Sequence, residues 1–464
     1  MPRCWPMAVS SLLVLLVLGA RPVAAAPAEY VLVVSIDGLG WTRLQSQLPR
    51  LPVLRRLAET GTGAPLYSVF PSMTWAAHTA LATGTLPGRN GVLGNRFVDR
   101  EHDEVVDTWS RDRSLNRAVA LWDVAKSAGW STAALLWPQT SRAANLDWNV
   151  PEVYGQRAFE KGSTPGLLAQ LQRETGLTPG QLGRFGNEEK FLLDSWLRDT
   201  AVWLVGRAKP KLMMLHFLSV DTLSHSQGPD SVDARWGLEL VDHYLGQVLA
   251  AYERAGIRDR LAVCIVSDHG FLQLTQGFAP LEALADSAVK AKSRDLIRFA
   301  SNGQALFVYG KGRAHGLEPL SGPPGGKPRA VDVALSSFLE HVVTRPEVEA
   351  VITAADFPAY GLGDAAMDPN LPDAIVLLLP HVAPLPTATS SVRKLWMGGH
   401  GYLPDHPNLL GTFILAGPGV RGPQSLASMR AIDVAPTLAR LLGWGWPGVI
   451  DGAPRDEVLQ PQRR

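Results

Sequence analysis

Short runs of apolar, β-branched residues recur along the chain, and each runs into a polar turn. Residues 31–36 (VLVVSI) lead into Asp37-Gly38, residues 132–136 into Trp137-Pro138, and residues 212–220 (LMMLHFLSV) into Asp221. Residues 261–266 (LAVCIV) lead into Ser267-Asp268-His269-Gly270, residues 374–379 (AIVLLL) into Pro380, and residues 412–416 into Gly417-Pro418-Gly419. Unbroken apolar runs of this length suit strands buried on both faces. Helical patterns lie between them, at residues 51–58, 75–82, 238–254 and 433–442. In the last of these, Asp433 is expected as N-cap, with Pro436 in the first turn. Strand alternating with helix predicts an α/β fold with a mostly parallel central sheet and helices on both faces. Two stretches break the rhythm. Residues 139–198 are polar and Gly-rich, and residues 271–394 are weakly patterned around Gly310-Lys311-Gly312 and Gly322-Pro323-Pro324-Gly325-Gly326. Both are expected to be inserted cap segments over one end of the sheet, within one domain spanning residues 27–464.

Residues 1–26 read as a secretory signal peptide: Arg3, an apolar core at residues 11–18, then Ala24-Ala25-Ala26 as a cleavage site. The apolar core is short of the roughly 20 residues that span a bilayer. A secreted or periplasmic protein without a transmembrane anchor after cleavage is expected. The 464 residues carry 44 Lys plus Arg against 43 Asp plus Glu, a net charge of +1, which argues against stable nucleic-acid binding through a basic patch. A hydrophobic fraction of 46% excludes a disordered chain. Cleavage would remove Cys4 and leave Cys264, which lies inside an apolar run and reads as a buried strand residue. Any metal site must then be built from Asp and His.

Such residues follow the strands. Asp37 ends one run, Asp221 another, and Asp268-His269 a third; ligands in open α/β sheets bind beyond the carboxyl ends of strands. Asp221 and His225 are one helical turn apart, so both can face one point. His400 lies in Gly398-Gly399-His400-Gly401-Tyr402, where glycines permit close backbone approach. Several Asp and His on one sheet edge favour Zn, with Mn or Fe less suited to the set. His216, inside an apolar run, reads as a core residue. Residues 70–78 (FPSMTWAAH) form a turn feeding a helix, which puts Thr74 near a helix N-terminus, where free N–H groups favour an anion. Ser72 competes with Thr74 for the N-cap position.

These motifs resemble the type I phosphodiesterase/nucleotide pyrophosphatase family of the alkaline phosphatase superfamily. The resemblance rests on Ser35-Ile36-Asp37-Gly38, Pro71-Ser72-Met73-Thr74 with His78 and Thr83-Gly84, and Pro87-Gly88-Arg89-Asn90-Gly91. It continues through Gly94-Asn95, residues 221–229 (DTLSHSQGP), Ser267-Asp268-His269-Gly270-Phe271 and Gly399-His400-Gly401-Tyr402, in the family's order over residues 30–445. It implies an alkaline-phosphatase-like fold and two Zn2+ sites. Asp37, Asp268 and His269 would hold the first ion, which also contacts Thr74; Asp221, His225 and His400 would hold the second. Asn95 matches the residue that donates to a phosphate oxygen. Two positions depart from the family's usual Pro-Asp-x-x-Gly-His: here Val220 precedes Asp221, and Ser224 precedes His225.

The implied chemistry is phosphoryl transfer through a covalent Thr74 intermediate, on a small-molecule phosphodiester or nucleotide. Two Zn2+, three Asp and a Thr alkoxide sum to about zero charge, so a mono-anionic diester suits the site. The alternatives are a phosphate monoesterase, for which Arg142 and Arg157 are the candidate extra cations, and a phosphonate hydrolase. A non-catalytic metal-containing binding domain is an alternative of another class, although every expected site position is filled. A sulfatase is disfavoured, because no Cys or Ser followed by Pro and Arg lies around Thr74. Trp137-Pro138 also resembles the diesterase branch. Trp75 sits where the family places an aromatic residue and is a candidate to stack a base or line a lipid slot.

Overall fold

The computed structural model describes residues 28–461, apart from residue 154 and residues 177–189, 282–294, 323–325, 389 and 393. The predicted leader lies outside the described residues. The central sheet uses β1 (Tyr30–Ile36), β2 (Thr62–Tyr67), β3 (Thr132–Leu135), β4 (Trp148–Val150), β5 (Leu212–Phe217), β6 (Leu261–Val266) and β11 (Gly411–Ala416). Their order is β2-β11-β6-β1-β5-β3-β4, with the short strands Gln424–Ser425 and Met429–Arg430 beside β2. β1 pairs in parallel with β5 and β6, in the registers Val31↔Leu212 and Val31↔Ala262. β3 is parallel to β5 and β4. β11 runs antiparallel to β6 and β2, so the sheet is mostly parallel.

The sheet is covered on both faces, as its apolar runs require. Leu32, Val34 and Ile36 of β1 face one core, built with α1 (Trp41–Gln47), α2 (Pro52–Thr60), α5 (Lys190–Arg207) and α7 (Val232–Arg254). Val31 and Val33 face the other, built with α3 (Thr74–Thr83), α4 (Leu121–Ser127) and α9 (Ala431–Leu441). Cys264 is buried in β6, unpaired, and burial pushes its thiol pKa up. No helix among the described residues is long and apolar enough to cross a membrane.

Three expectations about elements change. The apolar run at 212–220 is not one strand: β5 stops at Phe217, and α6 (Ser219–Gln227) starts two residues later. Buried Asp194 from α5 causes the break, its carboxylate accepting from the Leu218 and Ser219 N–H groups at 2.8 and 2.9 Å. A carboxylate at a helix N-terminus satisfies donors that have no partner within the helix. The run at 374–379 forms a strand, but in a second sheet. That antiparallel sheet joins β7 (Ile297–Asn302), β8 (Ala305–Gly310), β10 (Ala374–Leu378) and β9 (Val348–Thr353) in this order, and α8 (Ala330–Val342) packs on it. Asp433 is not the N-cap of α9. Arg430 holds that position; Asp433, the third residue of the helix, accepts from the Arg430 side chain and the Ala453 N–H, and Pro436 lies inside the helix, beyond its first turn.

Candidate active site

Asp37 follows β1, and Asp268 and His269 follow β6, at the carboxyl edge of the parallel strands. Asp221 and His225 lie one turn apart on α6, and His400 follows the short strand Met397–Gly399. The turn after β1 is tight. Gly38 has φ +71, and a Cβ there would lie 2.3 Å from the Phe271 ring and 3.3 Å from the Asp221 Cα. Glycine thus lets the first ligand's turn pack directly against the second ligand's helix.

Two clusters of ligating atoms result. His269 Nε2 is 3.0 Å from Asp268 Oδ2 and 3.5 Å from Asp37 Oδ1. Asp221 Oδ1 is 3.4 Å from His225 Nε2 and 3.6 Å from His400 Nε2, and these two nitrogens are 3.1 Å apart. The ligand atoms of a tetrahedral Zn2+ with bonds of about 2.0–2.1 Å lie roughly 3.3 Å apart, so both clusters match that spacing. His269 also groups with Asp221 and His400, and its ring stacks on His400 at 3.6 Å.

The hydrogen bonds around the clusters fit a cation as well. The Nδ1 of His225 lies 2.9 Å from the Gly398 carbonyl oxygen, that of His269 3.0 Å from Gly270 O, and that of His400 3.0 Å from Ser72 O. Carbonyls only accept, so each Nδ1 carries a proton and each Nε2 is the ring nitrogen turned to its cluster. The Gly38 N–H donates to Asp268 Oδ1 at 3.2 Å, leaving Oδ2 toward His269. Asp268 Oδ2 and His269 Nε2 are buried and face each other at 3.0 Å. Burial opposes the Asp268 charge, yet His269, His78 and His216 hold it well below the usual carboxylate range; against its own burial, His269 is in turn held above the usual imidazole range by Asp268 and Asp221, a proton that a bound cation would replace. Burial, with His269 and His225 alongside, pushes His400 down to about 3. The carboxylate and the neutral imidazole are the forms that bind a metal.

Thr74 is the first residue of α3, and Met73 occupies the N-cap without a side-chain bond. Ser72 does not cap the helix either. Its hydroxyl donates to the Tyr402 carbonyl and accepts from the Gly401 N–H, both at 3.1 Å, tying the Thr74 turn to the His400 loop. α3 is buried on every side, and its histidine and its later threonines bond inward. His78 Nδ1 donates to Thr74 O and its Nε2 meets Ser35 Oγ, both at 2.8 Å. Asn95 Oδ1 accepts from the Trp75 N–H at 3.0 Å; since that N–H can only donate, the amide is oriented with Nδ2 as its remaining donor.

A cavity of about 560 Å³ opens over Asp37, Thr74, Asn95, Asp221, His225 and His400, with Asp268 and His269 buried beneath it. Its wall includes Arg96, Asp107, Trp109 and Glu152. Trp75 does not line it. That ring is fully buried behind Trp109, with centroids 5.5 Å apart, so Trp109 is the aromatic wall and the expectation for Trp75 is corrected. Arg142 and Arg157 do not line the cavity either; Arg142 pairs with Asp112 at the surface, 3.6 Å away.

Other residues of the site had weak or no sequence signal. His216 is buried as expected, but it is more than core. Its Nε2 is 3.1 Å from Asp37 Oδ2, and its Nδ1 is 3.0 Å from the carbonyl oxygen of Leu136, whose φ of 58 is rare for leucine. Asn302, at the β7–β8 hairpin, accepts from the N–H groups of Asn95 and Arg96 at 2.8 and 3.0 Å, so the second sheet holds the Asn95 loop. The Asn302-Gly303 dipeptide was its available signal, as a turn marker. Glu152 Oε1 accepts from Trp109 Nε1 at 3.0 Å and fixes that indole.

A family model described as "Type I phosphodiesterase / nucleotide pyrophosphatase" matches residues 31–358. Among curated proteins, ectonucleotide pyrophosphatase/phosphodiesterase family member 1 of Rattus norvegicus is 24% identical over 53% of this chain and 25% of its own length. Family member 7 of the same species is 23% identical over 60% of this chain and 54% of its own length. The chain thus spans about a quarter of the length of the first of these relatives. Human ectonucleotide pyrophosphatase/phosphodiesterase 5 superposes with a TM-score of 0.69 at 18% identity, covering 93% of this chain and 100% of that one. An inactive variant of the murine protein, solved in complex with AMP, gives 0.65 at 17% identity, covering 90% of this chain and 96% of that one. The model match covers well over half of the chain and includes Thr74, Asn95 and every candidate ligand except His400, which the fold adds: the chain belongs to the type I phosphodiesterase/nucleotide pyrophosphatase family.

Proposed function

We propose that this protein hydrolyses phosphodiester or nucleotide pyrophosphate bonds through a covalent Thr74 phosphoryl intermediate, at a site holding two Zn2+ ions. The observation that carries this is one cavity floor on which two clusters of oriented Asp and His side chains converge beside a threonine at a helix N-terminus. Asp37, Asp268 and His269 would hold one ion, and Asp221, His225 and His400 the other. When bound, the pair supplies charge stabilisation for the attacking and leaving oxygens and lowers the pKa of an otherwise poorly nucleophilic hydroxyl. Thr74 Oγ gives its proton to solvent and forms the bond to phosphorus as the bond to the leaving oxygen breaks; that oxygen takes up a proton from solvent and departs in an alcohol, or departs in a phosphate or pyrophosphate anion. Water then displaces Thr74 Oγ from phosphorus, regenerating the hydroxyl with overall retention of configuration. Asn95 Nδ2 donates to a non-bridging oxygen, and the α3 N-terminus favours the same negative charge. With the predicted leader, this activity would lie outside the cytoplasm.

The charges on the cavity wall favour a diester over a monoester. Arg96 lines the cavity, but its guanidinium is 3.4 Å from the Asp107 carboxylate, and Glu152 adds a second acid. A monoester dianion brings one more negative charge to a wall that offers no surplus cation. The p-nitrophenyl ester of thymidine monophosphate is therefore expected to be hydrolysed faster than p-nitrophenyl phosphate by metal-loaded protein. The reverse ranking in kcat/KM would turn the assignment to a monoesterase, and no hydrolysis of either by protein containing two Zn2+ would favour a binding domain.

Trp109, which lines the cavity, would contact the nucleoside. Stacking of a base on an aromatic ring is worth about 1–3 kcal/mol, so Trp109→Ala is expected to raise KM for a nucleoside diester about tenfold. Steady-state kinetics with methyl p-nitrophenyl phosphate, which has no base, should show no such rise. Equal changes for both substrates would remove Trp109 from base recognition.

A further inference from the structure

Ser224, one of the two departures from the family's second-site motif, makes a contact that glycine cannot. It lies on α6 between Asp221 and His225. Its hydroxyl donates to the Val220 carbonyl at 2.6 Å, so toward any other partner it can only accept. That partner is Arg43 of α1, whose Nη1 donates to Ser224 Oγ at 3.0 Å. The Arg43 side chain is only 10% exposed, and its nearest carboxylate, on solvent-exposed Asp230, is 3.8 Å away. The Ser224 hydroxyl is thus the closest acceptor in an ordered chain from Arg43 through Ser224 to Val220.

α1 begins four residues after Asp37, and α6 carries Asp221 and His225. Arg43 therefore ties the ligand-bearing helix α6 to the helix that follows the Asp37 turn. On its other side the end of α6 meets a wall, because a Cβ on Gly398 would lie 2.3 Å from the Ser224 carbonyl oxygen. The Gly398 carbonyl also orients His225. The helix is held from two sides, and Arg43 is the side that joins it to α1.

We infer that Arg43 is a positioning residue which, through Ser224, holds Asp221 and His225 in register with Asp37 and so sets the affinity of the second metal site. This rests on the two-metal reading. Groups that orient metal ligands typically contribute 10–100-fold to affinity, so Arg43→Met and Ser224→Ala are each expected to release one ion 10–100-fold more readily and the other within about threefold of wild type. Metal-loaded protein challenged with a chromogenic zinc chelator reads both ions directly, without turnover. The Arg43→Met/Ser224→Ala double variant should be no worse than either single one, since the two residues act as one unit. Arg43→Lys, which keeps a donor, should recover most of the affinity. Should Arg43→Met fail to fold, Ser224→Ala decides, because alanine favours the helix. Wild-type retention of both ions by Arg43→Met and Ser224→Ala would overturn the inference. Fewer than two ions on the wild-type protein would overturn the two-metal reading, and the inference with it.

Discussion

Replacing Thr74 with alanine is expected to lower kcat on the phosphodiester substrate by at least about 10⁴-fold, the scale seen when a covalent nucleophile is removed from an otherwise intact catalytic set. Metal content should persist. Four of the six candidate Asp and His ligands are held by groups other than the Thr74 side chain: the carbonyls of Gly398, Gly270 and Ser72 orient the three histidines, and the Gly38 N–H orients Asp268. The helix should persist too, because the Thr74 hydroxyl makes no cap and the backbone bond from Trp75 N–H to Asn95 is untouched. Metal analysis, the melting temperature and single-turnover kinetics of one preparation separate these effects. Full metal content with turnover lost assigns the nucleophile. Turnover near wild type in fully loaded Thr74→Ala would remove Thr74 from that role. Thr74→Ser, which keeps a hydroxyl, should retain measurable activity.

Much of this site was legible because its chemistry sits where the physics of an open sheet puts it. Asp37 and Asp268-His269 follow apolar strands, and Asp221 and His225 share one helical turn, so their convergence follows from topology. What stayed hidden depends on contacts distant in the chain. His216 lies in an apolar strand like any core residue, and only the pairing of β1 with β5, Ser35 opposite His216, brings it to Asp37. The end of β5 is set by Asp194, whose carboxylate caps α6 from another helix, so the apolar run alone could not mark the boundary. Trp75 and Trp109 are indistinguishable by type. The helix turns Trp75 into the core, and the bond from Trp109 to Glu152 turns the second ring to the cavity. The strand at Ala374–Leu378 has the composition of a central parallel strand, but its register with β8 and β9 places it in the second sheet.

His269→Ala is expected to cost more of the metal-dependent stability than His225→Ala, although each disables one site. His269 Nε2 lies between Asp268 and Asp37, and the same side chain groups with Asp221 and His400. His225 sits at the rim, with its side chain 38% exposed. Asp37, Asp221 and Asp268 are all nearly buried, at 3%, 8% and 1% exposure, so without cations their charges gather where water cannot screen them. An ion that binds only the folded chain stabilises it by about 4 kcal/mol at a thousandfold excess over Kd, so wild-type protein should melt roughly 5 °C or more above its chelator-treated form. Removing one partner from a buried charged cluster costs about 3–5 kcal/mol, or a hundred- to several-thousand-fold in affinity. In His269→Ala that loss falls on the fully buried cluster with Asp37 and Asp268, so the zinc-dependent shift in melting temperature should shrink to the share of the second cluster. His225→Ala should keep part of the metal-dependent shift, because Asp37, Asp268 and His269 remain complete. A full zinc-dependent shift in His269→Ala would mean that the ions sit on another set of residues, and the ligand assignment would fall even if the protein proved to be a phosphodiesterase.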